Sequence, residues 1–140
     1  MTVIDGTNMI MGRLGTQVAK RILKREVIHI VNAEHVVITG NRKNIFEKFR
    51  VRLVIAPKGN PHKGPKFSRM PDRIVRRAIR GMLPWKQPRG KLAFKNLRVH
   101  IGVPEEFAAA KLEKIEVCQN RHAKGFTTVG ELAKSLGAKW

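Results

Sequence analysis

The sequence predicts an α/β fold around a covered, largely parallel sheet, and three observations carry that expectation. Short β-branched runs, "TVID", "VIHIV" and "HVVITG", recur within the first forty residues. An amphipathic stretch, "GRLGTQVAKRILKRE", separates the first two. Strand, helix and strand within some thirty residues make a βαβ unit, whose sheet is normally buried on both faces. The chain has 140 residues and is 42% apolar, which suffices for one domain spanning residues 1–140 with a real core.

Each element follows from local chemistry. In the first helix Leu14, Val18 and Ile22 recur at four-residue steps with Arg or Lys between them. "HVVITG" ends on a turn glycine. "NRKNIFEKFRVRLV" reads as a second helix, with Asn41 or Asn44 as N-cap and Ile45, Phe49 and Leu53 on one face. Residues 56–71, "APKGNPHKGPKFSRMP", form a loop by composition, with prolines at 57, 61, 65 and 71 and glycines at 59 and 64. A loop of this length in a compact domain is functional or disordered. Pro71 then suits the first turn of a helix over 73–83, which Gly81 and Pro84 end. "RVHIGV" is a further strand, and "KIEVC" is strand-like with Cys118 buried as a small hydrophobe. "TVGELAKSLG" closes the chain as a short helix, Thr128 and Glu131 being spaced as a capping box and Gly137 as a stop.

The charge is far from balanced. There are 29 Lys and Arg against 10 Asp and Glu, a net of +19. Self-repulsion on this scale opposes a compact state and points to a bound polyanion, nucleic acid first and an anionic membrane second. Residues 1–40 carry five basic and three acidic side chains, and residues 101–140 carry six and five. Residues 41–100 carry eighteen basic side chains against Glu47 and Asp72 alone. The excess is therefore a central block.

Within that block "RIVRRAIRGMLPWKQPRGK" holds seven arginines and lysines and no carboxylate. At 100° per residue, Arg73, Arg76, Arg77 and Arg80 share a band about 100° wide, while Ile74, Val75, Ala78, Ile79 and Met82 occupy the other side. One helix can thus enter the core and present a ladder of guanidinium groups to phosphates, which their planar fork suits. Trp85 and Phe94 are interleaved with the positive field. Such rings can stack on unpaired bases or simply pack, and packing is the better reading for Phe94.

Other chemistry is weakly supported. "GRLG" fits a KH-type loop, but its glycines are better explained as easing entry to a helix. His29, His35, His62, His100 and His122 lack metal-ligand spacing with carboxylates or with Cys118, the single cysteine, so no metal site or intrachain disulfide is expected. His29 reads as a hydrogen-bonded core residue, and His62 could donate to a phosphate. No P-loop or nucleophile elbow is present, and the basic block lacks clustered acids, so no catalytic residue and no small-molecule substrate are expected. The N-terminus lacks the continuous apolar core of a signal peptide, and no apolar run approaches a membrane span. The chain reads as soluble and intracellular, with no membrane partner.

Several of these stretches occur together in a known family. "IRGMLP" followed by "RGKLAFKNLRVHIGVP", with "GRLGTQVAK", "VNAEHVVITGN" and "RMPDRIVRRA" upstream, resembles the universal large-subunit ribosomal protein L-thirteen family over nearly the whole chain. The compact central loop and "HIGVPEEF" resemble its archaeal branch. The resemblance implies a three-layer α/β/α sandwich around a small, mostly parallel sheet, with a basic loop and helical extension. It implies a structural constituent of the large ribosomal subunit, cytoplasmic, that binds large-subunit rRNA beside neighbouring ribosomal proteins and supports assembly and translation. It implies neither cofactor nor catalytic residues.

The candidate RNA-binding side chains are then Lys58, Asn60, His62, Lys63, Lys66 and Arg69 of the loop, Arg73, Arg76, Arg77 and Arg80 of the helix, and Lys86, Arg89, Lys91, Lys95 and Arg98 beyond it. A helix-based or compacting DNA-binding protein would also need a basic face, but not the long Pro/Gly/Lys loop. A small RNA-processing enzyme would betray itself by metal-dependent cleavage.

Overall fold

A computed structural model describes residues 1–122 and 124–140. Strand β1 (Thr2–Asp5), helix α1 (Met11–Leu23) and strand β2 (Ile28–Val31) form the expected parallel βαβ unit. Strands β4 (Leu97–Val99) and β5 (Leu112–Glu113) extend it to a four-stranded parallel sheet in the order β4-β2-β1-β5.

Strand alternation sends Ile4, Ile28, Ile30 and Leu97 into the main core, and Val3 and Val31 into a smaller cluster under Phe107. The main core also takes Leu14, Val18 and Ile22 of α1, all fully buried, and the apolar sides of the later helices. On the other side a single helical turn, Glu105–Phe107, covers the sheet. The sandwich is therefore thick on one side and thin on the other.

Strand β3 (Val37–Thr39) leaves this sheet and pairs antiparallel with β6 (Phe126–Thr128). Only residues 32–36 separate it from β2, too few for a parallel crossover, which needs a dozen or more. Asn32, in the left-handed region at φ 56°, starts the short turn Ala33–His35 that redirects the chain.

Helix α2 (Arg42–Val54) is capped as expected, Asn41 Oδ1 accepting from the Lys43 N–H at 3.0 Å. Ile45 is buried and Phe49 and Leu53 pack against the core. Helix α3 (Pro71–Gly81) starts on Pro71 and buries Ile74, Val75 and Ile79. Met82, expected inside, lies at its edge against Gly15 of α1, where an added Cβ would come within 2.8 Å of the Met82 sulfur.

Helix α5 (Val129–Ser135) is capped by Thr128, whose Oγ1 accepts from the Glu131 N–H at 3.2 Å. "KIEVC" is not a strand. Glu116–Cys118 is a 3₁₀ turn that buries Cys118 and leaves Val117 exposed, so the chain tightens there rather than extending.

The pattern of "PRGKLAFK" marks no element, yet it forms helix α4 (Pro88–Lys95). Gly90 disguises it, because glycine weakens a helix pattern. Here it is required by proximity: a Cβ at Gly90 would collide with the Pro84 carbonyl. Gly90→Ala should therefore lower stability by roughly 1–3 kcal/mol despite its better helix propensity, since a backbone carbonyl cannot step aside. A denaturant melt of the variant checks this; a more stable protein would contradict it.

His29, expected to be a hydrogen-bonded core residue, is hydrogen-bonded but only half-buried, at the thin side of the sheet rather than in the core. Its Nδ1 lies 3.1 Å from His100 Nε2, and Phe107 packs on both rings. Burial first, then His100 and Arg98, depress its proton affinity below the ordinary imidazole value, with Glu106 opposing and the N-terminus adding slightly. The unfolded chain thus takes up the proton first as pH falls. The stabilising contribution is complete above about pH 6.5 and is lost as pH falls through that value. The melting temperature should drop between about pH 7.5 and 5.5, and drop less in His29→Gln.

Candidate nucleic-acid interface

The arginine ladder of α3 is built by what lies beneath it. Ile74, Val75 and Ile79 fix the helix on the core, so Arg73, Arg76, Arg77 and Arg80 face outward. Aromatic rings then hold three of the four guanidinium groups. Arg76 sits 4.5 Å from the Phe94 ring centroid, Arg77 4.0 Å from Phe67 and Arg80 5.2 Å from Trp85. Trp85 and Phe94 meet edge to face at 5.2 Å. Both rings pack, as expected for Phe94, and both support a cation. A guanidinium over a ring keeps its N–H edge free for a phosphate.

Arg77 Nη1 also donates to the Lys66 carbonyl at 3.1 Å, which ties the end of the loop to the helix. Lys66, Ser68, Arg73, Arg76, Arg77, Arg80 and Phe94 line one cleft of about 250 Å³. The buried Arg76 Nε has no hydrogen-bond partner, nor has Asp72 Oδ1 one turn before it. These i, i+4 neighbours do not pair, because Arg76 turns toward Phe94 instead.

The block is scarcely neutralised. Among the described residues the ion pairs within 4.0 Å are Arg21–Glu113, Arg42–Glu131 and Asp5–Lys114, while Glu34 lies 3.7 Å from the His35 imidazole. Of the eighteen basic residues in 41–100 only Arg42 appears among them, at 3.8 Å. The carboxylates that do pair lie in the flanks and serve the fold. Arg21 holds Glu113 through two bonds of 2.8 and 2.6 Å, which lower the Glu113 carboxyl below its usual range. Burial pushes Asp5 up, but hydrogen bonds from Asn32 and Thr7, with Lys114 nearby, outweigh it and hold the carboxyl below its usual range. Burial pushes the Cys118 thiol up, away from reactivity.

Not every candidate joins the ladder. Lys58, Asn60, His62 and Lys63 lie in the exposed part of the loop, and Asn60 Oδ1 is already engaged by the His62 N–H at 3.1 Å. Arg69 is exposed just before α3. Lys86 and Lys91 are exposed around α4, while Arg89 and Lys95 line a separate groove with Leu92 and Arg25. Arg98 is in register with His29, which puts it on the thin side of the sheet, away from α3. Phe67 and Ser68 join the face without being expected from sequence. A lone aromatic in a polar loop beside lysine was the available signal.

Among the described residues no helix is long and apolar enough to cross a membrane, and no group of three His, Cys, Asp or Glu is placed for a metal. Fold and face together define a small α/β protein with one side suited to a polyanion.

The sequence profile of the family described as Ribosomal protein L13 matches residues 1–106. The chain is 40% identical over 141 residues to the large ribosomal subunit protein uL13 of Methanosphaera stadtmanae, covering 100% of this chain and 99% of that one. It is 44% identical to that of Methanocaldococcus jannaschii, with both chains covered in full, and 43% identical to that of Archaeoglobus fulgidus, over 97% of this chain and 87% of that one. The chain belongs to the ribosomal protein L13 family. These three relatives are archaeal, in line with the branch the sequence resembles.

Proposed function

We propose that this chain is a structural constituent of the large ribosomal subunit, working in the cytoplasm within the ribosome. It holds large-subunit rRNA through the α3 face and the 56–71 loop, beside neighbouring ribosomal proteins. It is proposed to perform no chemistry. Family membership supports the setting. The observation that carries the binding role is the row of four arginines with no carboxylate within ion-pair distance among the described residues, three of them held on aromatic rings. Such a row positions phosphates without reading bases.

Two substitutions separate the two sides of α3. Arg76→Glu with Arg80→Glu should weaken rRNA binding and lower the salt slope of log K by roughly 0.7–0.9 for each phosphate no longer neutralised, with the fold intact. Ile79→Asp should instead unfold the domain, because an unpaired carboxylate in the core costs several kcal/mol. Salt titrations and circular dichroism on the same proteins read both effects. An unchanged salt slope in the double arginine variant would remove α3 from the interface.

The loop should behave differently from the helix. Among residues 56–66 only Gly64 is even half-buried, and the one regular feature is the turn Pro61–Lys63. Little apolar burial offsets the entropy of ordering it. Limited proteolysis should cut the free protein there and spare it on rRNA; equal resistance in both states would contradict this.

A further inference from the structure

We infer that the groove between α2 and α3 takes one unstacked nucleobase of the bound RNA, so that this protein grips a single-stranded or bulged nucleotide as well as phosphates. The inference rests on the rRNA-binding reading above and adds a second kind of contact to it.

The groove measures about 460 Å³, within the roughly 300–1,000 Å³ typical of clefts that enclose small ligands. Its lining is mostly apolar, with Leu53, Ile74 and Ala78 among the contributors together with the rings of Phe49 and Phe67. Arg52 lies 5.3 Å from the Phe49 ring centroid and Arg77 4.0 Å from that of Phe67. Neither ring pairs with another aromatic ring among the described residues. A flat π-system entering the groove would meet two rings that each already carry a cation, an arrangement that favours stacking of any base.

The rim selects the occupant. Arg52, Arg73 and Arg77 border the groove, and none has a carboxylate within 4.0 Å among the described residues. An apolar body flanked by anions fits this combination, and a nucleotide is that: a base with a phosphate on either side. Continuity decides further. Ser68, Arg73 and Arg77 line both this groove and the cleft of the arginine ladder, so a strand whose phosphates follow Arg76 and Arg80 passes the groove mouth. An acidic protein segment with an apolar anchor would share the chemistry but not that continuity.

The test uses the full chain with two short oligoribonucleotides of equal length, one intact and one with its central nucleotides abasic. The intact strand should bind at least roughly fivefold more tightly, since stacking one base contributes about 1–3 kcal/mol. Aromatic resonances of Phe49 and Phe67 should shift with the intact strand alone. Phe67→Leu, a loop change that keeps apolar bulk, should abolish the preference for the intact strand. Ala78→Phe, which fills the groove, should do the same if it folds.

Equal binding of the two strands, or a preference that survives Phe67→Leu, overturns the inference. So does a groove that shifts only with an acidic, aromatic peptide, which would assign it to a protein neighbour. Failure of the phosphate reading looks different: Arg76→Glu with Arg80→Glu would then leave the salt slope unchanged while the base preference persisted.

Discussion

Four guanidinium groups along two turns of one helix repel one another, and the fold answers that repulsion with burial on the opposite side. Ile74, Val75 and Ile79 disappear into the core between the sheet and α1. Burying each fully contributes about 1.5–3 kcal/mol, whereas like charges on an exposed helix face cost only tenths of a kcal/mol per pair. The apolar side therefore wins, and the charged side stays where the core puts it. Everything that depends on a fixed arginine spacing depends first on that inequality. At the end of α3 the Met82 thioether lies over Gly15, so a side chain added at that glycine would have to push the flexible methionine aside.

The aromatic rings add direction to position. An arginine on an open helix surface samples many rotamers, and ordering it against a ligand costs conformational entropy. Phe94, Phe67 and Trp85 take part of that cost at folding, by giving Arg76, Arg77 and Arg80 a preferred surface to lie on. Such contacts contribute about 0.5–1 kcal/mol each where exposed. That is small for stability but sufficient to bias orientation. The rings come from the loop, the turn after α3 and α4, so three separate segments converge on one helix face.

The α/β class, the parallel βαβ unit and the two-sided helix are legible in the sequence because each rests on a local period: β-branched runs, four-residue apolar steps, and arginines spaced to share one side. What is not legible depends on partners distant in the chain. Strand β3 is legible as a strand, but its place outside the parallel sheet is settled by the brevity of its connection to β2 and by Phe126–Thr128 arriving from the far end. "KIEVC" alternates like a strand, but pairing with β1 stops at Glu113 and the chain closes into a turn to bury Cys118. Helix α4 hides behind Gly90, whose reason is the Pro84 carbonyl. For the candidate site, the ladder is legible, whereas the displacement of Arg98 to the other side of the sheet follows from strand register alone.

Register and burial thus divide the basic residues into two kinds of cation. Arg73, Arg76, Arg77 and Arg80 are planar groups on a rigid helix, three of them lying on rings. Lys58 and Lys63, with His62 between them, ride an exposed loop that buries almost nothing. A lysine on such a segment is a mobile point charge that attracts a polyanion at a distance limited by salt screening, about 10 Å at 0.1 M. A ring-held arginine adds to that field as well, and at contact its geometry restricts which phosphate spacing is accepted. A polyanion approaching this surface would therefore meet the loop lysines through the long-range field and the helix through both field and fit. The two segments join where Arg77 Nη1 donates to the Lys66 carbonyl, so the end of the loop is anchored to the ladder.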